Sequence, residues 1–274
     1  MNLSDLSATL EYWLIAGIDC LSSDRLEFPS NPISVTKISP FHKHFKPSIS
    51  TVERQHPVAK PTATTRLPPQ EIPVKPPAPT ALTTVALSLE SRKEKFINMT
   101  QSLSHCNLCS LANMRRNMVF GVGSVEAPVV FIGEAPGAEE DLRAEPFVGD
   151  AGKLLDKMIL AIQLLRQNVY IANVVKCHPP ANRNPLPQEI ELCQPFLFEQ
   201  LETIRPKVIF ALGKFAILCL LGYSGPIENI RGNTPLWRGI PVIPSYHPAF
   251  YLRSPSRKKA AWEDLIRLKK MLSL

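Results

Sequence analysis

The chain has 274 residues, 45% of them hydrophobic, which is enough for a sizeable core, and no apolar run nears the roughly 18 residues that a membrane span needs. A net charge of +7 with a pI of about 9.1 suits a polyanionic partner without demanding one, while 27 prolines are too many for one compact fold. Asp5 and Glu11 near the start, with no basic leader, argue against secretion and for a cytoplasmic protein. In that compartment six cysteines are metal ligands or core residues rather than disulfides.

Residues 1–22 carry Leu3, Leu6, Leu10, Trp13, Leu14 and Ile18 at helical spacing behind Ser4 and Asp5. A lone amphipathic helix cannot bury its own face, so it needs the main domain, a second copy or a protein partner to dock on. Residues 23–86 change composition. Between Pro29 and Pro79 there are twelve prolines and seven Lys or Arg against Glu53 and Glu71, the signature of a disordered basic linker. The folded domain then begins near residue 87. A helix is expected over 88–104, strands over 128–134, 168–175, 207–212 and 240–245, and helices over 150–166, 187–204, 213–222 and 256–272. That alternation implies an α/β fold with three layers, α/β/α, around a mostly parallel sheet covered on both faces.

Cys106 and Cys109 form a C-x2-C pair, and Cys177 and Cys193 lie far downstream. Four thiolates from three segments can close one site, either a structural zinc or an iron-sulfur cluster, and ligand type does not separate the two. Cys20 and Cys219 have no such neighbours and read as small core hydrophobes.

Open α/β sheets bind ligands at the carboxyl ends of their strands. The first strand ends in Gly133, Glu134 and Ala135, followed by Glu139, Glu140, Asp141 and an aromatic, Phe147. The second contains Asn173, an amide with both a donor and an acceptor inside an apolar run, and is followed by Asn182 in the loop HPPANRNP. The last leads to His247 in SYHPAFYLR. A carboxylate, two amides, an imidazole and an aromatic thus converge on one crevice.

The stretches GEAPG from 133, EPFVGDAGKLL from 145, NVVKC with PPANRNP, and SYHPAFYLR resemble the family four uracil-DNA glycosylases, the type with an iron-sulfur cluster. The resemblance runs from about Cys106 to Leu272, cysteine spacing included, and leaves residues 1–87 uncovered. One departure is Ala144, where relatives usually carry glycine before the aromatic loop. The resemblance implies a central four-stranded parallel sheet, a structural 4Fe–4S cluster on Cys106, Cys109, Cys177 and Cys193, and excision of uracil from DNA; a monomer is expected.

For such a substrate the base must leave the stack and enter a closed pocket. Phe147 would stack on its face, beside Gly133 and Ala135, and Asn173 would accept from N3–H and donate to O4, rejecting cytosine. By the resemblance, Glu140 would crowd the C5 position and exclude the thymine methyl. His247 would donate to O2 of the leaving base, Glu134 would hold water and steady the cationic sugar, and Asn182 would help position that water. Leu252 would wedge into the vacated stack, with Arg253, Arg257, Lys258 and Lys259 on phosphates. Two other readings remain at this stage. One is a relative that traps uracil-DNA covalently through a histidine, though the short segment between Cys177 and Cys193 holds only His178. The other is a non-catalytic iron-sulfur DNA-binding adaptor tethered to a repair or replication partner.

Overall fold

The computed structural model describes residues 88–274. The expected helix over 1–22 and the linker over 23–86 lie outside the described residues. The elements in order are helix α1 (Leu89–Ser104), strands β1 (Val122–Gly123) and β2 (Val129–Gly133), helices α2 (Ala138–Arg143) and α3 (Asp150–Ala161), strand β3 (Tyr170–Asn173), helix α4 (Pro187–Ile204), strand β4 (Val208–Leu212), helices α5 (Lys214–Leu221) and α6 (Ile227–Ile230), strands β5 (Leu236–Trp237) and β6 (Ile240–Ser245), and helices α7 (Pro248–Arg253) and α8 (Lys258–Leu272).

The strands form one sheet in the order β1-β3-β2-β4-β6-β5. The four central strands are parallel, as the sequence implies, but the sheet is mixed: β1 pairs with β3 and β5 with β6 antiparallel. Each added strand is two residues long, too short to carry a period-2 signal, so a sheet of only four strands was the expectation.

The central strands are apolar throughout because both faces are covered. Val130, Ile132, Ala172, Ile209 and Ala211 face Phe96 and Met99 of α1, Leu197 and Leu201 of α4 and Ile217 of α5. Val129, Phe131, Ile171, Phe210 and Ile243 face Leu155 and Met158 of α3 and Leu265 and Leu268 of α8. Alternate residues of one strand therefore anchor opposite helical layers, and the three-layer architecture follows. Among the described residues no helix is long and apolar enough to cross a membrane.

Local chemistry fixes the ends of the elements. Ser88 caps α1 by accepting from Ser91 N at 3.2 Å, and Phe96, Met99 and Leu103 then fall on its buried face. Pro187 occupies the first position of α4, where its missing N–H costs nothing. α3 stops at Ala161, short of the expected 166, because the chain turns through Gln163 at φ 65°.

Candidate active site

Parallel register sets four strand ends side by side. β3 ends on Asn173, which lies opposite Gly133 of β2. One residue on is Glu134. On the other side of β2, β4 ends at Leu212 opposite Ser245 of β6, and the chain continues to Gly213 and Lys214 on one strand and to Tyr246 and His247 on the other.

Asn173 is 2% exposed, and its side-chain oxygen Oδ1 has no hydrogen-bond partner. A buried acceptor left open costs about 1–3 kcal/mol, so its persistence points to a ligand donor. The strand end is held by the buried Lys176, whose Nζ donates to Asn173 O at 2.9 Å and to Gln200 Oε1 at 2.7 Å. Burial lowers the pKa of that lysine to about 8.

Phe147 closes the space in front of Asn173. A Cβ added to Gly133 would meet Asn173 Oδ1 and would lie 2.5 Å from Phe147 Cζ, so the missing side chain is what lets amide and ring share one wall. Phe147 sits at φ 54°, a conformation that surrounding contacts must enforce. Glu140 enforces it. One of its oxygens accepts from Val148 N and Gly149 N, both at 2.9 Å, and the other from Gly137 N at 3.0 Å. Arg166 fastens the other side by donating to Pro146 O at 2.6 Å and to Glu145 and Asp156 at 3.0 and 2.7 Å. The demonstrable task of Glu140 is thus to hold the aromatic loop.

The Phe147 ring stacks on His247, with centroids 5.4 Å apart and planes 28° from parallel. His247 caps α7 through Nδ1, which accepts from Ala249 N at 3.2 Å. With Nδ1 as acceptor, the proton of the neutral ring resides on Nε2. Close packing around the ring, with the nearby charge of Arg253 adding to it, lowers its pKa to about 4 although an edge stays exposed. His247 is therefore a neutral N–H donor near pH 7.

Glu134 is half-buried, and desolvation raises its pKa while the charge of Lys214 works against that rise. A Cβ on Gly213 would lie 3.1 Å from the Cβ of His247, so the β4 end packs directly against the residue that carries the imidazole. Lys214 was absent from the sequence-derived set. In the run ALGKFA a lysine after glycine reads as an ordinary helix start, and only the strand order reveals its neighbours.

The remaining candidates divide. Ala135 packs against the core of the α1/α4 face. Asn182 stands exposed at the rim at φ 54°, its Oδ1 2.9 Å from His178 Nε2. It still borders the GEAPG turn, 3.8 Å from where a Gly137 Cβ would lie. Leu252 is 45% exposed on α7, and Arg253, Arg257 and Lys259 are exposed beside a half-buried Lys258.

Cys106, Cys109, Cys177 and Cys193 line one pocket with Leu103, Met118 and Phe196. They lie in the core of the α1/α4 face, whereas Phe147 belongs to the opposite face. Arg115 binds this region together: it donates to Cys177 Sγ at 3.0 Å, to Cys106 O at 2.8 Å and to Ser104 O at 3.2 Å. Burial raises the pKa of Cys177, and that of Cys193 to about 11. Among the described residues no three His, Cys, Asp or Glu side chains are set closely enough to hold a metal ion. Cys219 packs against the same core, as expected.

Comparison with known proteins agrees with this layout. The model of the uracil DNA glycosylase superfamily matches residues 120–266. A type-4 uracil-DNA glycosylase of Archaeoglobus fulgidus is 41% identical over 183 residues, 64% of this chain and 92% of that protein. Those of Thermotoga maritima and Sulfurisphaera tokodaii are each 40% identical, covering 66% and 67% of this chain and 97% and 84% of theirs. With matches of that extent, the chain belongs to the uracil DNA glycosylase superfamily and, within it, to the type-4 enzymes.

Proposed function

We propose that the protein hydrolyses the N-glycosidic bond of uracil in DNA, releasing free uracil and leaving an abasic site for base excision repair. The observation that carries this reading is the orphaned Oδ1 of Asn173, buried against Gly133 and the Phe147 ring. An acceptor there fits the N3–H of uracil, and the amide nitrogen of the same group fits O4. Cytosine offers an acceptor and a donor in those places and meets like against like, the kind of mismatch that discriminates strongly.

Bond cleavage leaves negative charge on the departing base and positive charge on the sugar. The Nε2–H of a neutral His247 donates to O2 as that charge develops, a role typically worth about 2.7–4 kcal/mol per donor. Glu134, as a carboxylate, stabilises the cationic sugar and orients water toward it. Asn182, at the rim, helps hold that water. Leu252 fills the gap left by the flipped nucleotide, and Arg253, Arg257 and Lys258 meet phosphates.

The four thiols fit a resident group as a purely soft donor set lining one pocket. A zinc ion and a 4Fe–4S cluster both accept four thiolates, and resemblance to the iron-sulfur type of uracil-DNA glycosylase favours the cluster there. Bound there, the cluster would tie the segment after α1 to β3 and α4, and its role is structural.

Purified protein incubated with a uracil-containing oligonucleotide should release uracil, and His247→Ala and Glu134→Ala should abolish release. Binding without release by the wild type would mean an adaptor instead. A denaturation-resistant adduct would mean the covalent relative. A brown sample with iron and sulfide is expected; a colourless one with stoichiometric zinc would refute the cluster.

A further inference from the structure

Three strand ends carry the groups proposed to meet the base and the sugar, and the fourth, β4, ends among them. β4 lies between β2 and β6, and continuing its register past Ile132 and Ala211 sets Glu134 beside Gly213. Lys214 is the next residue, exposed at the first position of α5, with its Nζ 4.6 Å from the centroid of the Phe215 ring. No direct ion pair joins it to a carboxylate among the described residues, so its charge is available to the crevice. We propose that Lys214 is a positioning residue for Glu134, its ammonium keeping the half-buried carboxylate charged and turned toward the sugar of the bound nucleotide.

The other charged and titratable groups around the strand ends are committed elsewhere. His247, from the β6 end, is neutral. Glu140 of α2 is bound by three backbone N–H groups, Arg183 of the loop after β3 pairs with Glu189, and His178 faces Asn182. Lys176, past the β3 end, turns to Gln200. Lys214 is the charge that acts on Glu134 against the desolvation of its carboxyl group. A carboxylate that must meet a cationic sugar is useless when protonated, so the neighbour that holds it ionised sets the acid limit of the reaction.

The inference rests on the proposed glycosylase reaction, and the experiment separates the two. Uracil release under single-turnover conditions is followed from pH 4.5 to 9 for the wild type, Glu134→Gln, Lys214→Met and Lys214→Arg. The wild type should show an acid limb that is missing from the residual activity of Glu134→Gln. In Lys214→Met that limb should move up by about half to one pH unit, a loss of about 3- to 10-fold below it and little change at pH 8, and Lys214→Arg should restore it. A wild type that releases no uracil overturns the glycosylase reading. Release with the same acid limb in Lys214→Met overturns the role of Lys214 alone. So does a loss uniform across pH with a salt slope shallower by about 0.9, the mark of a simple phosphate contact.

Discussion

A methyl group added at Gly133 tests the wall that Asn173 and Phe147 share. In Gly133→Ala the new Cβ would meet Asn173 Oδ1 and would lie 2.5 and 2.7 Å from Phe147 Cζ and Cε2. Ordinary contact needs about 3.5 Å, so ring and amide must each retreat by most of an ångström. Both are side chains, and neither has free space: Phe147 is 5% exposed and Asn173 2%. Overpacking of this kind costs about 1–3 kcal/mol, part of it as lost stability and part as a displaced recognition edge. Because the displaced atoms are those assigned to the base, kcat/KM for uracil release should fall about 10- to 100-fold. Selectivity over cytosine should fall with it, while the melting temperature drops by only a few degrees. Steady-state excision on matched uracil and cytosine oligonucleotides, beside a thermal melt, reads all three. A Gly133→Ala enzyme with wild-type kcat/KM and selectivity would show that no base occupies this wall, and the assignments of Asn173 and Phe147 would fall together.

Asn173→Asp replaces the donating amide nitrogen with a second oxygen, and selectivity for uracil over cytosine should drop at least about tenfold in competing excision assays. Ala144 closes α2 at φ 57°, where a non-glycine residue costs about 1–2 kcal/mol, partly offset by the chain entropy that glycine loses, so Ala144→Gly should stabilise by about 0.5–1 kcal/mol in urea unfolding with excision unchanged. His247 takes up a proton less readily in the folded state, about 4 against 6.5, so stability should be complete above pH 6.5, decline as pH falls, and stop declining from this source below about 4. The total is about 2–3 kcal/mol after discounting for the exposed edge, His247→Gln should lose that slope in denaturation curves, and wild-type excision should show no limb near 6.5. Arg115→Met removes the donor to Cys177 and the tie to Cys106 O, and should speed bleaching of the absorbance of the proposed cluster in air severalfold, whereas unchanged bleaching would leave Arg115 a loop fastener only.

Legibility of the molecule in its sequence followed burial. Runs such as Val129–Ile132 and Val208–Leu212 are apolar because helices cover both of their faces, and they announce their strands. β1 and β5 are pairs of residues at the sheet edges, set by a neighbouring strand rather than by their own pattern. Asn173 could be singled out because one amide in an apolar strand demands a partner, and the structure leaves its oxygen without one. Glu140 could not be resolved that way. An acid in the first turn of a helix fits a solvated cap, a pocket wall or a loop fastener equally well, and the three N–H groups converging on it show that it fastens the loop. Lys214 was hidden for another reason: its meaning depends on β4 lying between β2 and β6, which strand spacing along the chain does not encode.

The same sheet order explains how a group of cysteines under one face can matter to side chains that belong to the other. Cys177 and Asn173 are four residues apart, and between them Lys176 is fully buried with its ammonium on Asn173 O and Gln200 Oε1. Gln200 in turn donates to Phe120 O at 2.9 Å and to Tyr170 OH at 3.0 Å, so α4, β3 and the segment leading into β1 share one polar network in an apolar core. Such a network is worth having only when every member is satisfied, since each unpaired buried group would cost about 1–3 kcal/mol. Its members occupy the segments that carry Cys177 and Cys193. Anything that binds those two cysteines therefore also fixes the distance from α4 to the end of β3, and with it the position of the open oxygen of Asn173.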